Sequence, residues 1–182
     1  MPKRGSVLIA ANHLSAMDPP IVGVELGRSV IFMAKEELFR SRLGAYFMSR
    51  LGAFPVHRGR MDREALRLAE DVLSRNKAFA MFPEGHRRGI EGYQPQGFFG
   101  AALIADRSNV PILPVGISGT EKIKGWKWII KRPRVVVNIG IPFRLAPVTG
   151  KSRRDTLTEY TAVIMDHIAS LLPDEYRGQY RK

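Results

Sequence analysis

Residues 7–20 read VLIAANHLSAMDPP, an apolar run followed by a polar turn and two prolines. The run Val7–Ala11 predicts a short buried strand. Pro19 and Pro20 fit the first turn of a helix, with Asp18 as its N-cap. His13 therefore lies where a strand ends and a helix begins, a place where rigid elements hold a side chain that solvent can reach.

The spacing of His13 and Asp18 decides whether the two side chains meet. Five positions put them about 140° apart on a continuous helix, and on opposite faces of a strand. Only a turn brings them together, and Asn12, Ser15 and the prolines supply turn chemistry. If they meet, Asp18 fixes one ring nitrogen and leaves the other as a base near neutral pH. Taken alone, the stretch favours by a small margin a plainer interpretation, in which Asp18 only caps the helix and His13 decorates a loop.

The composition limits the classes of function. At 182 residues, with 45% hydrophobic and 25% charged residues, the chain is predicted to be one globular domain. It has no cysteine, which excludes a disulfide framework, a thiolate nucleophile and thiolate metal ligands. The net charge of +12 favours a partner that carries phosphate: nucleic acid, anionic lipid or a phosphorylated small molecule. The four histidines show no metal-ligand spacing, so we expect no metal site.

Strand-like and helix-like patterns alternate along the chain, which predicts an α/β layered sheet with flanking helices. Further strands are predicted at residues 29–34, 77–82, 110–117 and 134–139, and residues 52–60 are predicted to form a short strand that ends in a basic turn. Helices are predicted at 35–50, 62–74, 99–107 and 152–172. Pro111 and Pro114 predict that their strand is irregular or lies at an edge. The helix at 35–50 covers a core by default, although its basic face and its aromatic residues would also suit a membrane surface.

Four motifs occur in order, and together they point to a family. They are the stretches NHLSAMD (12–18), GAFPVHR (52–58), FPEGHR (82–87) and VPILPV (110–115), and residues 171–178 read LLPDEYRG. This set resembles the four motifs of the glycerolipid acyltransferases, the family of bacterial 1-acyl-sn-glycerol-3-phosphate acyltransferases. The resemblance spans nearly the whole chain and implies a single acyltransferase domain over residues 1–182.

The resemblance also implies roles for individual residues. His13 would be the general base that takes a proton from the acceptor hydroxyl, and Asp18 would orient it. Arg58 and Arg87 match the motif arginines and would hold the acceptor phosphate, since a guanidinium group binds phosphate in a bidentate fork. Lys35 lies where the family often has a lysine that contacts the phosphate.

Two further residues of the third motif have implied roles, and two positions depart from the family. Glu84 would bind acceptor hydroxyls or hold the arginines in place, and Gly85 would allow a tight turn. His86 stands where the family usually has threonine. Residues 96–100, QGFFG, lack the lysine that many members carry before the glycine.

The resemblance implies an acyl thioester as co-substrate, acyl-CoA or an acyl carrier protein, and no other cofactor. It implies acyl transfer to the free hydroxyl of 1-acyl-glycerol-3-phosphate, a lysophospholipid, which makes phosphatidic acid; another lysolipid or glycerol 3-phosphate is the alternative acceptor. It also implies a cytoplasmic enzyme attached peripherally to the inner face of the cell membrane. The expected anchors on this anionic surface are residues 35–50 and 126–132. Near Met1 we find no apolar stretch long enough for a signal peptide or membrane span, so we expect the chain to lack the N-terminal membrane segment of the family.

Two other functions fit part of the sequence. A thioesterase would use the same His–Asp pair but would need no phosphate clamp. A nucleic-acid-binding protein would suit the charge of +12 and the mixed aromatic and basic residues 126–132, although no nucleic-acid motif is found.

Overall fold

The structure is a computed structural model that describes residues 4–56, 63–84, 99–126, 128–148, 150 and 152–177. It confirms the predicted α/β class, with six strands in one sheet flanked by helices. The strands are β1 Val7–Ala11, β2 Val30–Lys35, β3 Ala53–Val56, β4 Ala78–Met81, β5 Ile112–Ser118 and β6 Val136–Ile139. The helices are α1 Asp18–Glu25, α2 Arg42–Arg50, α3 Arg63–Ser74, α4 Gly100–Ser108, α5 Trp128–Lys131 and α6 Arg153–Ala169.

The sheet has the strand order β3-β2-β4-β1-β5-β6. The first five strands of the chain run parallel, and β6 pairs antiparallel with β5. The carboxyl ends of β1 to β5 therefore meet at one edge of the sheet, here called the carboxyl edge. In open parallel sheets this is the edge where ligands bind.

Strand β1 is buried on both faces because helices cover both sides of the sheet. Leu8 and Ala10 face a core built with helices α3, α4 and α6. Val7, Ile9 and Ala11 face a second core that includes Val22 and Leu26 of α1 and its vicinity. An uninterrupted apolar run is the pattern expected for such a strand.

Pro111 and Pro114 predicted a strand that is irregular or lies at an edge. The irregular alternative is confirmed, and the edge alternative is wrong, because β5 lies between β1 and β6 and is buried throughout. Pro111 precedes the strand. Pro114 lies where the regular pairing with β6 ends at Val115, and the next bridge joins Ile112 to Phe143. One extra residue on the β6 side forms a bulge there, so the missing N–H of Pro114 breaks no regular ladder.

The predicted helix at residues 35–50 is also corrected. Strand β2 continues to Lys35, a 3₁₀ turn spans Glu36–Phe39, and α2 begins only at Arg42. Ser41 caps α2 by accepting a hydrogen bond from the Gly44 N–H, which restarts the helix. No residue of α2 is buried, so its expected default role of covering a core is wrong.

The other boundaries agree with the sequence-based prediction to within a few residues. Of the strand and turn predicted at 52–60, the structure describes residues 52–56, which include β3, and the rest lies outside the described residues. Within the described ranges no helix has the length and the apolar character needed to cross a membrane.

Candidate active site

Three of the predicted site residues follow or end parallel strands at the carboxyl edge. His13 comes two residues after β1, Lys35 is the last residue of β2, and Glu84 comes three residues after β4. Arg58, Arg87 and Gly85, together with His86, lie outside the described residues, so their predicted roles stay predictions.

The structure brings His13 and Asp18 together in a buried pair. His13 Nδ1 lies 2.8 Å from Asp18 Oδ2, and the side chains are 6% and 0% exposed. Since a carboxylate only accepts hydrogen bonds, Nδ1 is the donor of this bond, and in a neutral imidazole Nε2 is then the nitrogen with the lone pair. The sequence-based hypothesis of a contact is confirmed, and the plainer interpretation of a loop histidine is wrong.

Asp18 is not the N-cap that the sequence predicted. It is the first residue of α1, and Met17 occupies the cap position without a side-chain cap bond. The next two helical positions are Pro19 and Pro20, which lack the N–H groups that a capping side chain would satisfy. The Asp18 carboxylate points instead toward the residues that precede it, His13, Leu14 and Ser15.

The same oxygen of Asp18 also organises the turn before the helix. Oδ2 accepts hydrogen bonds from the backbone N–H groups of Leu14 and Ser15, both at 2.7 Å. Together with His13, three donors converge on it, whereas Oδ1 is buried without a hydrogen-bond partner among the described residues. These bonds fix the carboxylate, and the carboxylate fixes the imidazole ring.

Asn12 has a role that sequence reasoning missed. Its side-chain amide donates to the Ile117 carbonyl at 2.8 Å, and its Oδ1 accepts from the Ile117 N–H at 2.7 Å. The residue is 2% exposed. Instead of supplying a turn, Asn12 clamps the end of β1 to β5 and so fixes the residue next to His13. A polar residue directly after a fully apolar strand was the available signal.

Phe82 is the other neighbour that sequence reasoning did not identify as a site residue. It follows β4, and its ring stacks on His13 with centroids 4.2 Å apart and planes 21° apart. Because β4 pairs directly with β1, a residue just beyond β4 is in reach of the histidine. The imidazole is thus held by Asp18 at its edge and by Phe82 on its face.

Lys35 lies at the same edge but further along it. Strand β4 separates β2 from β1, so the two strand axes are about 10 Å apart. Lys35 Nζ forms an ion pair with Glu37 Oε1 at 2.9 Å, and this contact lowers the pKa of Glu37. In this geometry Lys35 is paired with Glu37, and its contact with a phosphate remains a prediction.

The described residues offer no other constellation of this kind. Glu84 is 6% exposed and extends the line of polar residues at the carboxyl edge. No group of three or more His, Asp or Glu suited to a metal ion occurs in the part of the chain that the structure describes. A groove of about 590 Å³ opens at the opposite edge, beside Asn109 and Arg144, away from His13.

Comparison with known proteins shows the family of the chain. The family model described as Acyltransferase matches residues 1–118, which include β1 to β5, His13 and Asp18. The chain belongs to the acyltransferase family. This confirms the resemblance on which the residue roles were predicted.

Relatives of this acyltransferase carry a more specific name. The 1-acyl-sn-glycerol-3-phosphate acyltransferase of Streptococcus pneumoniae is 32% identical over 145 residues, covering 78% of this chain and 51% of the relative. The Bacillus subtilis protein of the same name is 24% identical, covering 94% and 83%. The chain thus spans about half the length of the pneumococcal relative.

A solved structure supports the fold. The crystal structure of the 1-acyl-sn-glycerophosphate (LPA) acyltransferase PlsC from Thermotoga maritima matches with a TM-score of 0.61 and 27% sequence identity. The match covers 93% of this chain and 68% of that chain.

Proposed function

We propose that this acyltransferase transfers a fatty acyl group from a thioester to the free hydroxyl of 1-acyl-glycerol-3-phosphate, making phosphatidic acid. The observation that carries the proposal is the buried His13–Asp18 pair at the carboxyl edge of a chain in the acyltransferase family. The names of the pneumococcal, Bacillus and Thermotoga relatives support the acceptor.

The geometry supports a direct transfer. Asp18 holds Nδ1–H, so Nε2 of His13 accepts the proton as the acceptor oxygen attacks the thioester carbon. The new C–O bond forms, the C–S bond breaks, and the thiolate takes the proton from the imidazolium. Asp18 stabilises that imidazolium as a fixed negative partner. A thioester is already activated, so the reaction needs neither a covalent enzyme intermediate nor a metal.

Acceptor binding is proposed to use cations at the same edge. Lys35 is the last residue of β2, and Arg58 and Arg87 follow β3 and β4 in the sequence. Glu84 and Gly85 are proposed to support this clamp. Three cations around one phosphate would select a phosphorylated acceptor over water, which disfavours a thioesterase.

The test is an assay of the purified chain with labelled palmitoyl-CoA and 1-acyl-glycerol-3-phosphate. We expect labelled phosphatidate from the wild type and its loss in His13→Ala. His167→Ala is the matched control, because His167 lies on helix α6, stacks on Phe143 and has no part in the proposed site. Free fatty acid as the main product would establish a thioesterase instead and overturn the proposal.

The donor and the cofactor requirement are proposals of their own. We infer that acyl-CoA or acyl carrier protein serves as co-substrate and that no further cofactor or metal is needed. Dialysis against EDTA is expected to leave the rate unchanged, and a donor panel in the same assay distinguishes the two thioesters. A rate restored only by an added metal ion would contradict this inference.

Peripheral attachment to the inner face of the cell membrane is the proposed location. The charge of +12 supports it, since basic residues close to an anionic surface contribute about 1 kcal/mol each. Co-sedimentation with anionic vesicles at low salt is expected and should weaken as salt is added. A chain that stays in the supernatant at low salt would contradict it.

A further inference from the structure

The connection from β5 to β6 projects from the carboxyl edge, beside the site. Strand β5 ends at Ser118, which pairs with Val136 at the start of β6, so residues between them leave and rejoin the sheet at one place. A Cβ on Gly119 would lie 2.1 Å from the Arg134 carbonyl oxygen, which shows how closely the two ends meet. We name residues 121–134 the tryptophan segment.

The tryptophan segment displays large apolar side chains to solvent. Trp126, Ile129 and Ile130 are 67%, 61% and 71% exposed, and no residue of α5 is buried. A contiguous exposed group of this kind marks an interaction surface rather than chance. Tryptophan is also the side chain most typical of the membrane–water interface.

The tryptophan segment is also strongly basic. Its 14 residues include six basic side chains and one acidic, a net charge of +5 in a chain of +12. The acidic residue, Glu121, accepts a hydrogen bond from Tyr176 at 2.8 Å and so faces the protein. By comparison, residues 35–50 include four basic and two acidic residues, and Lys35 there is already paired.

The segment is firmly connected to the catalytic histidine. Thr120, at its base, is completely buried, and Tyr176 holds Glu121 from the C-terminal side. Ile117, three residues before Thr120, is the partner of Asn12, which precedes His13. A surface that binds the segment is therefore held at the edge where the acceptor must enter.

We propose that the tryptophan segment is the docking element that seats the carboxyl edge on an anionic phospholipid bilayer. Tryptophan and isoleucine side chains enter the interface while lysine and arginine contact the headgroups. This inference rests on the proposed function, since a long-chain lysolipid acceptor resides in the bilayer. An acidic carrier protein would match the charge but would leave the exposed isoleucines without an apolar partner.

The chain contains its own probe, because its only two tryptophans, Trp126 and Trp128, both lie in the segment. Vesicles of 70% phosphatidylcholine and 30% phosphatidylglycerol are expected to shift the tryptophan emission to shorter wavelength. Brominated lipid is expected to quench it, and pure phosphatidylcholine should have a weaker effect. Emission that stays unchanged with anionic vesicles at low salt would overturn the proposal.

Matched variants test whether the segment drives binding. Ile130→Asp is expected to reduce vesicle binding strongly, whereas Val24→Asp, at a residue 78% exposed on α1, should not.

Replacing Lys122 and Lys124 by Gln should lower the partition coefficient about 25-fold, or about fivefold for each cation. The same change at Lys77 and Arg154, at the opposite edge, should lower it less. Equal losses in the segment and control variants would contradict the proposal.

Two further results separate this inference from the proposed function. With a short-chain, water-soluble acceptor, Ile130→Asp should keep wild-type acyl transfer, while its rate on bilayer-embedded acceptor falls. A wild type that shifts its emission but acylates neither acceptor would refute the proposed function and leave the docking surface intact. A lipid-free emission shift caused by acyl carrier protein, or by self-association on raising the protein concentration, would refute the docking surface.

Discussion

At the scale of single residues, the site depends on one carboxylate that serves several donors. Asp18 orients His13 and also accepts from the backbone of the turn, so its negative charge and its geometry act together. The prolines after it remove the donors that a helix cap would need. One residue thereby joins the start of a helix to His13, the proposed catalytic base.

Replacing Asp18 by Asn should therefore lower the turnover number by about 10²- to 10⁴-fold, the range in which general base catalysis contributes. The amide preserves the size of the side chain but no longer pairs with the imidazolium. Steady-state acyl transfer by the purified variant measures the loss. Asp71→Asn, in an exposed ion pair with Arg75, is the matched control. A wild-type turnover number for Asp18→Asn would contradict the assigned role.

Asn12→Ala should destabilise the fold as well as the site. The change leaves the Ile117 N–H and carbonyl buried without their partners, and each such group costs about 1–3 kcal/mol. Urea unfolding measures this loss of free energy. Asn138→Ala removes one exposed hydrogen bond to the Leu171 carbonyl and should cost less. Equal stability of the Asn12 and Asn138 variants would show that the clamp is not what holds β1 to β5.

At the scale of elements, the local sequence pattern predicts strand and helix bounds correctly where tertiary contacts do not change them. The run Val7–Ala11 was predicted with its observed bounds, because a strand buried on both faces has no polar position. Pro114 correctly predicted an irregular strand, but not an internal one, which the bulge between Ile139 and Phe143 makes possible. In the site, the His13–Asp18 contact was a hypothesis from spacing, whereas the local pattern marks Asn12 only as a polar residue after an apolar strand and does not identify its partner Ile117, 105 residues away.

The 3₁₀ turn Asp174–Tyr176 is an element whose attachment is predicted to depend on pH. Burial and the hydrogen bond to Glu121 raise the pKa of Tyr176 to about 12. The folded state therefore holds this proton more tightly than the unfolded state, and the stabilisation is complete below pH 10. It is lost as the pH rises from about 10 through about 12.

Tyr176→Phe tests this element directly. Near pH 8 the variant should be less stable than the wild type by about 1 kcal/mol, the value of one hydrogen bond. The difference should shrink between pH 10 and pH 12, because only the wild type carries this titrating group. Urea unfolding at a series of pH values gives both results. A difference that does not change with pH would mean that the Tyr176–Glu121 bond does not stabilise the fold.

At the scale of the whole molecule, β1 belongs to two cores at once. Leu8 packs into the layer that contains α3, α4 and α6, and Ile9 packs into the opposite layer with α1. Neither layer keeps its central strand if the other unfolds. This arrangement extends the prediction of a single domain into a prediction about how the chain unfolds.

Leu8→Ala and Ile9→Ala should each lower the free energy of unfolding by about 2–5 kcal/mol, because both side chains are completely buried. Both variants should still unfold in one transition, with the same midpoint by far-UV circular dichroism and by methyl NMR signals. Val24→Ala, at an exposed position, should stay within about 0.5 kcal/mol of the wild type. If one variant instead lost its own layer first, in a separate transition, the two cores would be independent. The His13–Asp18 pair would then be held by the layer of α1 alone, since α1 begins at Asp18.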